Sequence, residues 1–439
     1  MRVIGLLSGT SHDAIEAAAA ELELSGEDLV LRPLGSATTA FEPELRRAIA
    51  KALPPGRPGA GELCTLDARL GQAFAEVAAQ ADRVLCGGGA QLIVSHGQTV
   101  FHWVEDGRVL GTLQLGEPAW IAERTGLPVV SNLRSRDVAA GGQGAPLVSF
   151  VDCLLLPPGP VPRAALNLGG IANLTVVLPA PSGRPPFAFD AGPANALIDA
   201  AVSLVTGGDE AFDAGGRRGA RGRVDRALLD RLLADPYYEQ PAPKSTGKER
   251  FNATHLSHAV GRPPSVWGDD LVATATVHAA EVVARECRRH RIAELFVSGG
   301  GTRNPTLMGA LADRTPGVVI RPSDALGIPE EAKEAYAFAI LGFLTFQGVA
   351  ATIPSCTGAA HASILGSITP GARPLRMPSL ARTAPRRIRI VPGETDKAGG
   401  TGADAADGAG AARRQGGGTG GTKVAGTDKT GDTGATGAA

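Results

Sequence analysis

The residues best placed by type and spacing to do chemistry lie in four short stretches. The first is Gly9-Thr10-Ser11-His12-Asp13, a Gly/Ser/Thr/Asp cluster between the apolar run Arg2–Ser8 and the small apolar residues Ala14 to Leu22. Strand, turn and strand make a hairpin whose tip offers backbone N–H groups and hydroxyls, a nest that suits a phosphate. Asp13 beside it has the carboxylate that a hydrated Mg²⁺ needs. The same residues also describe an ordinary hairpin turn, the reading that the local pattern alone favours, because short Gly/Ser motifs recur widely. Gly169-Gly170 repeats the arrangement between Arg163–Leu168 and Ala172–Leu178. Gly299-Gly300-Gly301 follows a strand over Glu294–Ser298, and Asn304-Pro305 supplies an N-cap and first-turn residue for the helix behind it, a helix N-terminus being a natural anion site. Asp190 closes a brief strand, Phe187–Asp190, where a carboxylate can point into a cleft. Alternatively Asp190 caps the helix after Pro193.

These stretches need elements to hold them. Helical spacing covers Pro43–Leu53, Glu62–Leu85, Gly116–Gly126, Val148–Leu156, Ala194–Leu204, Asp225–Leu233, Asp269–His290 and Pro329–Phe346. Further strands are predicted over Gln91–His96, Leu127–Val130 and Val318–Arg321, while Arg134–Pro146 and Pro241–Asn252 read as polar loops. Repeated Gly-turn hairpins alternating with helices point to an α/β fold with mixed sheets in two domains, and two such hairpins facing each other would grip one polyphosphate. From about Lys397 to residue 439 large apolar residues almost vanish, so that tail is expected to be disordered.

Composition narrows the partners. The chain has 439 residues, 43% apolar and 20% charged, with a net charge of −1. No Lys/Arg block argues for nucleic acid or an anionic membrane. The five cysteines (Cys64, Cys86, Cys153, Cys287, Cys356) are scattered without a CxxC, which is neither a disulfide framework nor a zinc site. No signal peptide or membrane span is evident, and the expectation is a cytoplasmic protein.

Seven motifs in fixed order carry a resemblance: Ser8–Asp13, Ser95-His-Gly-Gln-Thr99, Arg136–Pro146, Asn167-Leu-Gly-Gly-Ile-Ala-Asn173, Phe189–Asn195, Lys244–Asn252 and Ser298–Asn304. From Met1 to about Gly366 the chain resembles anhydro-N-acetylmuramic acid kinase. That resemblance implies the sugar kinase/actin/Hsp70-like fold, with two domains of ribonuclease H-like mixed sheets flanked by helices around a central ATP cleft. It implies one domain over 1–130 with a returning segment of about 350–392, and a second over 131–349. It also implies a homodimer using ATP and Mg²⁺ to phosphorylate O6 of 1,6-anhydro-N-acetylmuramic acid while water opens the ring at C1, in cell-wall sugar recycling.

The resemblance assigns roles residue by residue. Asp190 matches the catalytic base. Gly9, Thr10, Ser11, His12, Asp13, Ala14, Ile15 and Glu16 match the first phosphate loop, with Asp13 as the metal carboxylate. Gly169, Gly170, Asn173, Gly299, Gly300, Gly301 and Asn304 match the other nucleotide contacts. His96, Arg134, Asp137, Gln143 and Glu334 match the sugar site, with Arg136 an equal candidate for the lactyl carboxylate because an Arg fork is bidentate. Alternatively, Arg136 pairs with Asp137, and His96 is a core histidine. The chain departs from the family pattern at His12, Ala14, Glu16 and Ala194, where the family has an apolar residue, Gly, Asp and Gly. If position 14 needs φ > 0, Ala costs about 1 kcal/mol there. Two rivals follow from the same residues: a kinase for another anhydro-sugar such as levoglucosan, and a non-catalytic nucleotide or sugar sensor.

Overall fold

The computed structural model describes residues 1–9, 12–105, 107–247, 250–261, 266–379 and 383–392; Thr10, Ser11 and the tail from 397 lie outside them. The chain opens with an antiparallel meander, β1 (Arg2–Ser8), β2 (Ala14–Ser25) and β3 (Asp28–Ala40). Helices α1 (Pro43–Ala52) and α2 (Ala60–Leu85) carry it to β4 (Leu92–Glu105), parallel to β1. β5 (Arg108–Leu115) folds back on β4, and α3 (Pro118–Thr125) leads to β6 (Val129–Ser131), parallel to β4. After α4 (Ser135–Ala139) and α5 (Ser149–Leu155) a second meander follows: β7 (Arg163–Leu168), β8 (Ile171–Val177) and β9 (Phe187–Pro193). Helices α6 (Asn195–Thr206), α7 (Arg217–Arg221), α8 (Arg226–Leu233), α9 (Ala253–Val260) and α10 (Asp269–His290) precede β10 (Glu294–Ser298), parallel to β7. Then come α11 (Pro305–Arg314), β11 (Val319–Pro322, parallel to β10), α12 (Lys333–Phe346), α13 (Pro354–Thr357), β12 (Ser367–Thr369) and β13 (Arg387–Ile390).

The two sheets share one topology. The first runs β3-β2-β1-β4-β6 and the second β9-β8-β7-β10-β11, each an antiparallel meander continued by two parallel strands. This is the duplicated ribonuclease H-like arrangement that the resemblance implies. β12 and β13 extend the first sheet at its two edges.

β1 is buried on both faces, as its unbroken apolar run requires. Ile4 and Leu6 face α1 and α2 alongside Leu70 and Phe74, while Val3 and Leu7 face α12 alongside Tyr336 and Ile340. α12 is apolar nearly all round and approaches β1 and β4 very closely. A Cβ on Gly5 would stand 2.1 Å from the Ala335 carbonyl oxygen, and one on Gly342 would stand 2.2 Å from a Val94 methyl. α12 therefore packs on the first sheet, together with Val151 and Leu154 of α5, although a division at 349/350 assigns it to the second domain.

Several elements differ from the sequence reading for local reasons. β4 continues past His96 because Gly97 adopts φ +71 beside the Leu115 carbonyl. β3 carries no strand signal in the sequence because Pro33 and Gly35 interrupt it; both sit at the bulge where the β2–β3 register shifts. β5 forms where the sequence predicts no element, and α4 forms inside the predicted Arg134–Pro146 loop. No helix among the described residues is long and apolar enough to cross a membrane. All five cysteines are free.

Candidate active site

The candidate residues gather at the carboxyl ends of the parallel strands of both sheets, where open α/β sheets bind ligands. Asp190 lies on β9 opposite Asn173 of β8, which in turn lies opposite Asn167 of β7, so three polar residues cross three adjacent strands in one row. Asn173 Nδ2 donates to Asp190 Oδ1 at 2.9 Å. Ser245 Oγ and the Thr246 backbone N–H donate to Asp190 Oδ2 at 3.0 and 2.9 Å. Three donors on one carboxylate favour its ionised, basic form. The main chain is fixed as well: Asp190 N–H donates to the Lys244 carbonyl, and Tyr237 Oη donates to the Asp190 carbonyl. The capping alternative for Asp190 is not what the structure shows. Ala194 is the N-cap of α6, and the first amides of that helix donate to the carbonyls of Gly169 and Gly170.

Those same bonds position the second glycine turn. Asn195 Nδ2 adds donors to the Leu168 and Gly169 carbonyls, at 3.0 and 2.9 Å. The third turn nests against it. Gly299 has φ +93, and a Cβ there would stand 2.2 Å from Asn167 Oδ1; one on Gly301 would press on Leu168. Gly300 faces open space. Asn304 Oδ1 accepts from the Leu307 N–H, so this buried side chain caps α11. A 570 Å³ cavity flanks the turn, walled by Val297, Met308 and Ile320 with Thr302, Arg303 and Glu330 at its polar side. Asp190 is not part of its lining.

In the first loop, Gln98 grips the strand end. Its Oε1 accepts from Ser8 Oγ at 2.6 Å and its Nε2 donates to the Gly9 and Thr99 carbonyls. Among the described residues of the loop His12 is left-handed (φ +44), and its N–H donates to the Gly9 carbonyl; Ala14 is extended in β2, paired with Ala40. The conditional cost at position 14 therefore does not arise. Ile15 is buried beneath the loop, and Asp13 is exposed. Burial, then Glu334 and Asp13, push the Glu16 carboxyl up to about 7. Residues of the first loop and of α12 thus share one acidic region.

On the other side of Asp190 the structure separates the two arginines. Arg134 enters the cleft: Nη1 donates to the Gly144 carbonyl at 2.7 Å, and Nε and Nη2 approach His96 Nε2 at 3.3 and 3.1 Å. Burial lowers Arg134 to about 10, while Glu334, Asp137 and Asp190 favour its charge, so it is cationic at neutral pH. Arg136 is exposed, and no ion pair joins it to Asp137. His96 is buried and stacked on Phe338 at 4.2 Å. Because Arg134 is only a donor, His96 Nε2 accepts and the ring proton sits on Nδ1, which has no hydrogen-bond partner. Burial, reinforced by Arg134, holds the ring neutral. Glu334 Oε1 accepts from Asn167 Nδ2 at 3.1 Å, linking α12 to β7; burial raises its carboxyl, opposed by Arg134 and Lys333.

Asp137 is fully buried and supports the loop behind the site. Its Oδ1 accepts from Thr357 Oγ1 and its Oδ2 from the Gly144 N–H, while the Gln143 N–H donates to the Thr357 carbonyl. Gly142 has no Cβ because one would stand 2.3 Å from Asp137 Oδ2. The sequence reading did not single out Asn167, Gln98, Asn195, Ser245, Thr246 or Thr357. All but Thr357 sit inside the motifs quoted above, so position in a motif was the available signal; Thr357 had none.

Comparison with known proteins bears on the family of the chain. The sequence model of the family described as anhydro-N-acetylmuramic acid kinase matches residues 1–371. A protein of that name from Streptomyces coelicolor is 60% identical over 393 residues, covering 90% of this chain and 100% of that protein. One from Rhodococcus erythropolis is 54% identical over 398 residues, covering 89% and 99%, and one from Salinibacter ruber is 39% identical over 386 residues, covering 84% and 96%. With more than half its length matched by the family and its relatives covered nearly end to end, the chain belongs to the anhydro-N-acetylmuramic acid kinase family.

Proposed function

We propose that this protein is an ATP-dependent kinase that converts 1,6-anhydro-N-acetylmuramic acid to N-acetylmuramic acid 6-phosphate, opening the anhydro ring with water, in the recycling of cell-wall sugar. The observation that carries the reading is Asp190, a carboxylate held by three donors and close enough to Arg134 to favour its charge. Asp190 removes a proton from a water whose oxygen bonds to C1. The C1–O6 bond breaks, O6 attacks the γ-phosphorus, and ADP leaves. Arg134 meets the lactyl carboxylate, with His96 fixing its fork. Glu334 and Gln143 contact sugar hydroxyls or the N-acetyl group, and Asp137 shapes the loop that carries Gln143.

ATP lies across the glycine turns at 9–16, 169–170 and 299–301, its adenosine in the apolar-walled cavity beside Val297, Met308 and Ile320. Among the described residues no three metal-ligating side chains converge as a preformed cage. The crowding of Glu16 by Glu334 and Asp13 nonetheless fits a dication brought in with the phosphates. Asp13 would hold Mg²⁺ through water, and the ion would neutralise phosphate charge. The enzyme works as a homodimer in the cytoplasm.

A coupled ADP-release assay with Mg²⁺-ATP tests the reading, using anhydro-N-acetylmuramic acid beside levoglucosan. Turnover of the muramic sugar, with little for levoglucosan, is expected. Comparable turnover of both sugars would remove the need for Arg134, and ATP binding without turnover of either would leave a sensor.

A further inference from the structure

The Asp190 carboxylate takes two of its donors from one short stretch, Ser245 and Thr246, and that stretch is anchored in an unusual way. Lys244, directly before it, turns its side chain inward, where it is 4% exposed. Nζ donates to the carbonyls of Tyr237 and Tyr238, both at 3.3 Å, and lies 3.7 Å from Glu286 Oε1 on α10. It stands 4.8 Å from the centre of the Tyr237 ring. Tyr237 itself donates to the Asp190 carbonyl, and the Lys244 carbonyl accepts from the Asp190 N–H. One ammonium thus joins the two segments that hold Asp190 at both of its main-chain groups. A buried lysine is costly unless paired, and a loop residue has no packing need for one.

We propose that Lys244, paired with Glu286, is a positioning residue that holds Ser245 and Thr246 against the Asp190 carboxylate and so keeps that carboxylate available as the base. The proposal rests on the reading of Asp190 given above. Around Lys244, Glu286 and Arg289 face it from α10 and Glu239 from the segment before the loop. Among the described residues, Arg134 and Tyr237 are titratable groups whose surroundings include Asp190. Glu286 is in turn engaged by His290 at 3.3 Å and Arg289 at 3.2 Å, so its charge remains paired if Lys244 is removed.

The test compares the whole protein with Lys244→Met and with Lys244→Met/Glu286→Met, which replaces both buried charges by apolar groups and guards against misfolding of the single variant. Hydrogen exchange over residues 237–247 needs no turnover and should quicken in both variants. kcat should fall at least about tenfold, within the range a general base contributes, and the acid limb of its pH profile should move up by about one unit as donors to the carboxylate are lost. KM for ATP should stay within about twofold. Unchanged exchange overturns the anchoring. Wild-type kcat in a folded variant, or a lower kcat with the acid limb unmoved, overturns the link to Asp190. Absence of turnover in the unmodified protein would refute the kinase reading instead, and the exchange measurement would still decide the anchor.

Discussion

Asp190→Asn separates chemistry from structure at the site. The aspartate accepts from Asn173 Nδ2 on one oxygen and from Ser245 Oγ and the Thr246 N–H on the other. An asparagine has one acceptor end and one donor end. The Thr246 amide is backbone and cannot reverse, so the new carbonyl oxygen must face it, and the new NH₂ must face Asn173. Asn173 can rotate its amide to present oxygen, and the row across β7, β8 and β9 is preserved. The stability loss is then about 1 kcal/mol, the difference between charged and neutral hydrogen bonds. The proton acceptor is lost entirely, which removes about 10²- to 10⁴-fold in kcat, or about 3–5 kcal/mol of barrier. ADP release at saturating substrates, with a thermal melt alongside, measures both quantities. A variant melting near wild type with kcat within about fivefold would refute Asp190 as the base.

Glu16 supplies a pH signature. Its carboxyl is raised from 4.5 to about 7, so between those values the folded state binds more protons than the unfolded one, and stability falls as pH rises through the window. Glu16→Gln should match wild type below pH 4.5 and melt higher above pH 7; a constant gap across pH would contradict the assignment. Lys333 and Asp152 form a buried pair at 2.7 Å, with Thr175 Oγ1 of β8 donating to the same carboxylate. Lys333→Met should cost about 3–5 kcal/mol in urea unfolding, and adding Asp152→Asn should recover part of it. Gly5→Ala would press a methyl into the Ala335 carbonyl and Ala339 N, at 2.1 and 2.7 Å, where backbone cannot yield; a loss of at least about 2–3 kcal/mol is expected. Gly61→Ala, in α2 with nothing within 4 Å, should be neutral or stabilising by up to about 1 kcal/mol, and equal melts for the two variants would sink the packing argument.

What the sequence determined by itself is local chemistry. Glycines between an apolar run and the next element make turns wherever they occur, so the tips at Gly9, Gly169 and Gly299 were legible, as were α10 with its acidic start and basic end and the cap at Asn304. The doubled strand pattern followed from two hairpins of the same kind. The family assignment also came from sequence, because seven motifs in order constrain far more than any one of them.

Only the tertiary structure decided the pairings between distant residues. Arg134 and Arg136 are equivalent as text; the turn of α4 sends one toward His96 and Gly144 and the other to solvent. Asp137 looked like a ligand, yet its oxygens are taken by Thr357 and Gly144, from segments that meet only when α13 packs beside the loop. α12 belongs with β1 because Gly5 and Gly342 leave room for a helix, a fit that involves residues more than 300 positions apart. Lys244 read as one charge in a polar loop until α10 placed Glu286 beside it. Turn and cap preferences act over a few bonds and are written in adjacent residues. Burial and charge pairing act through space, and the folded chain alone sets those distances.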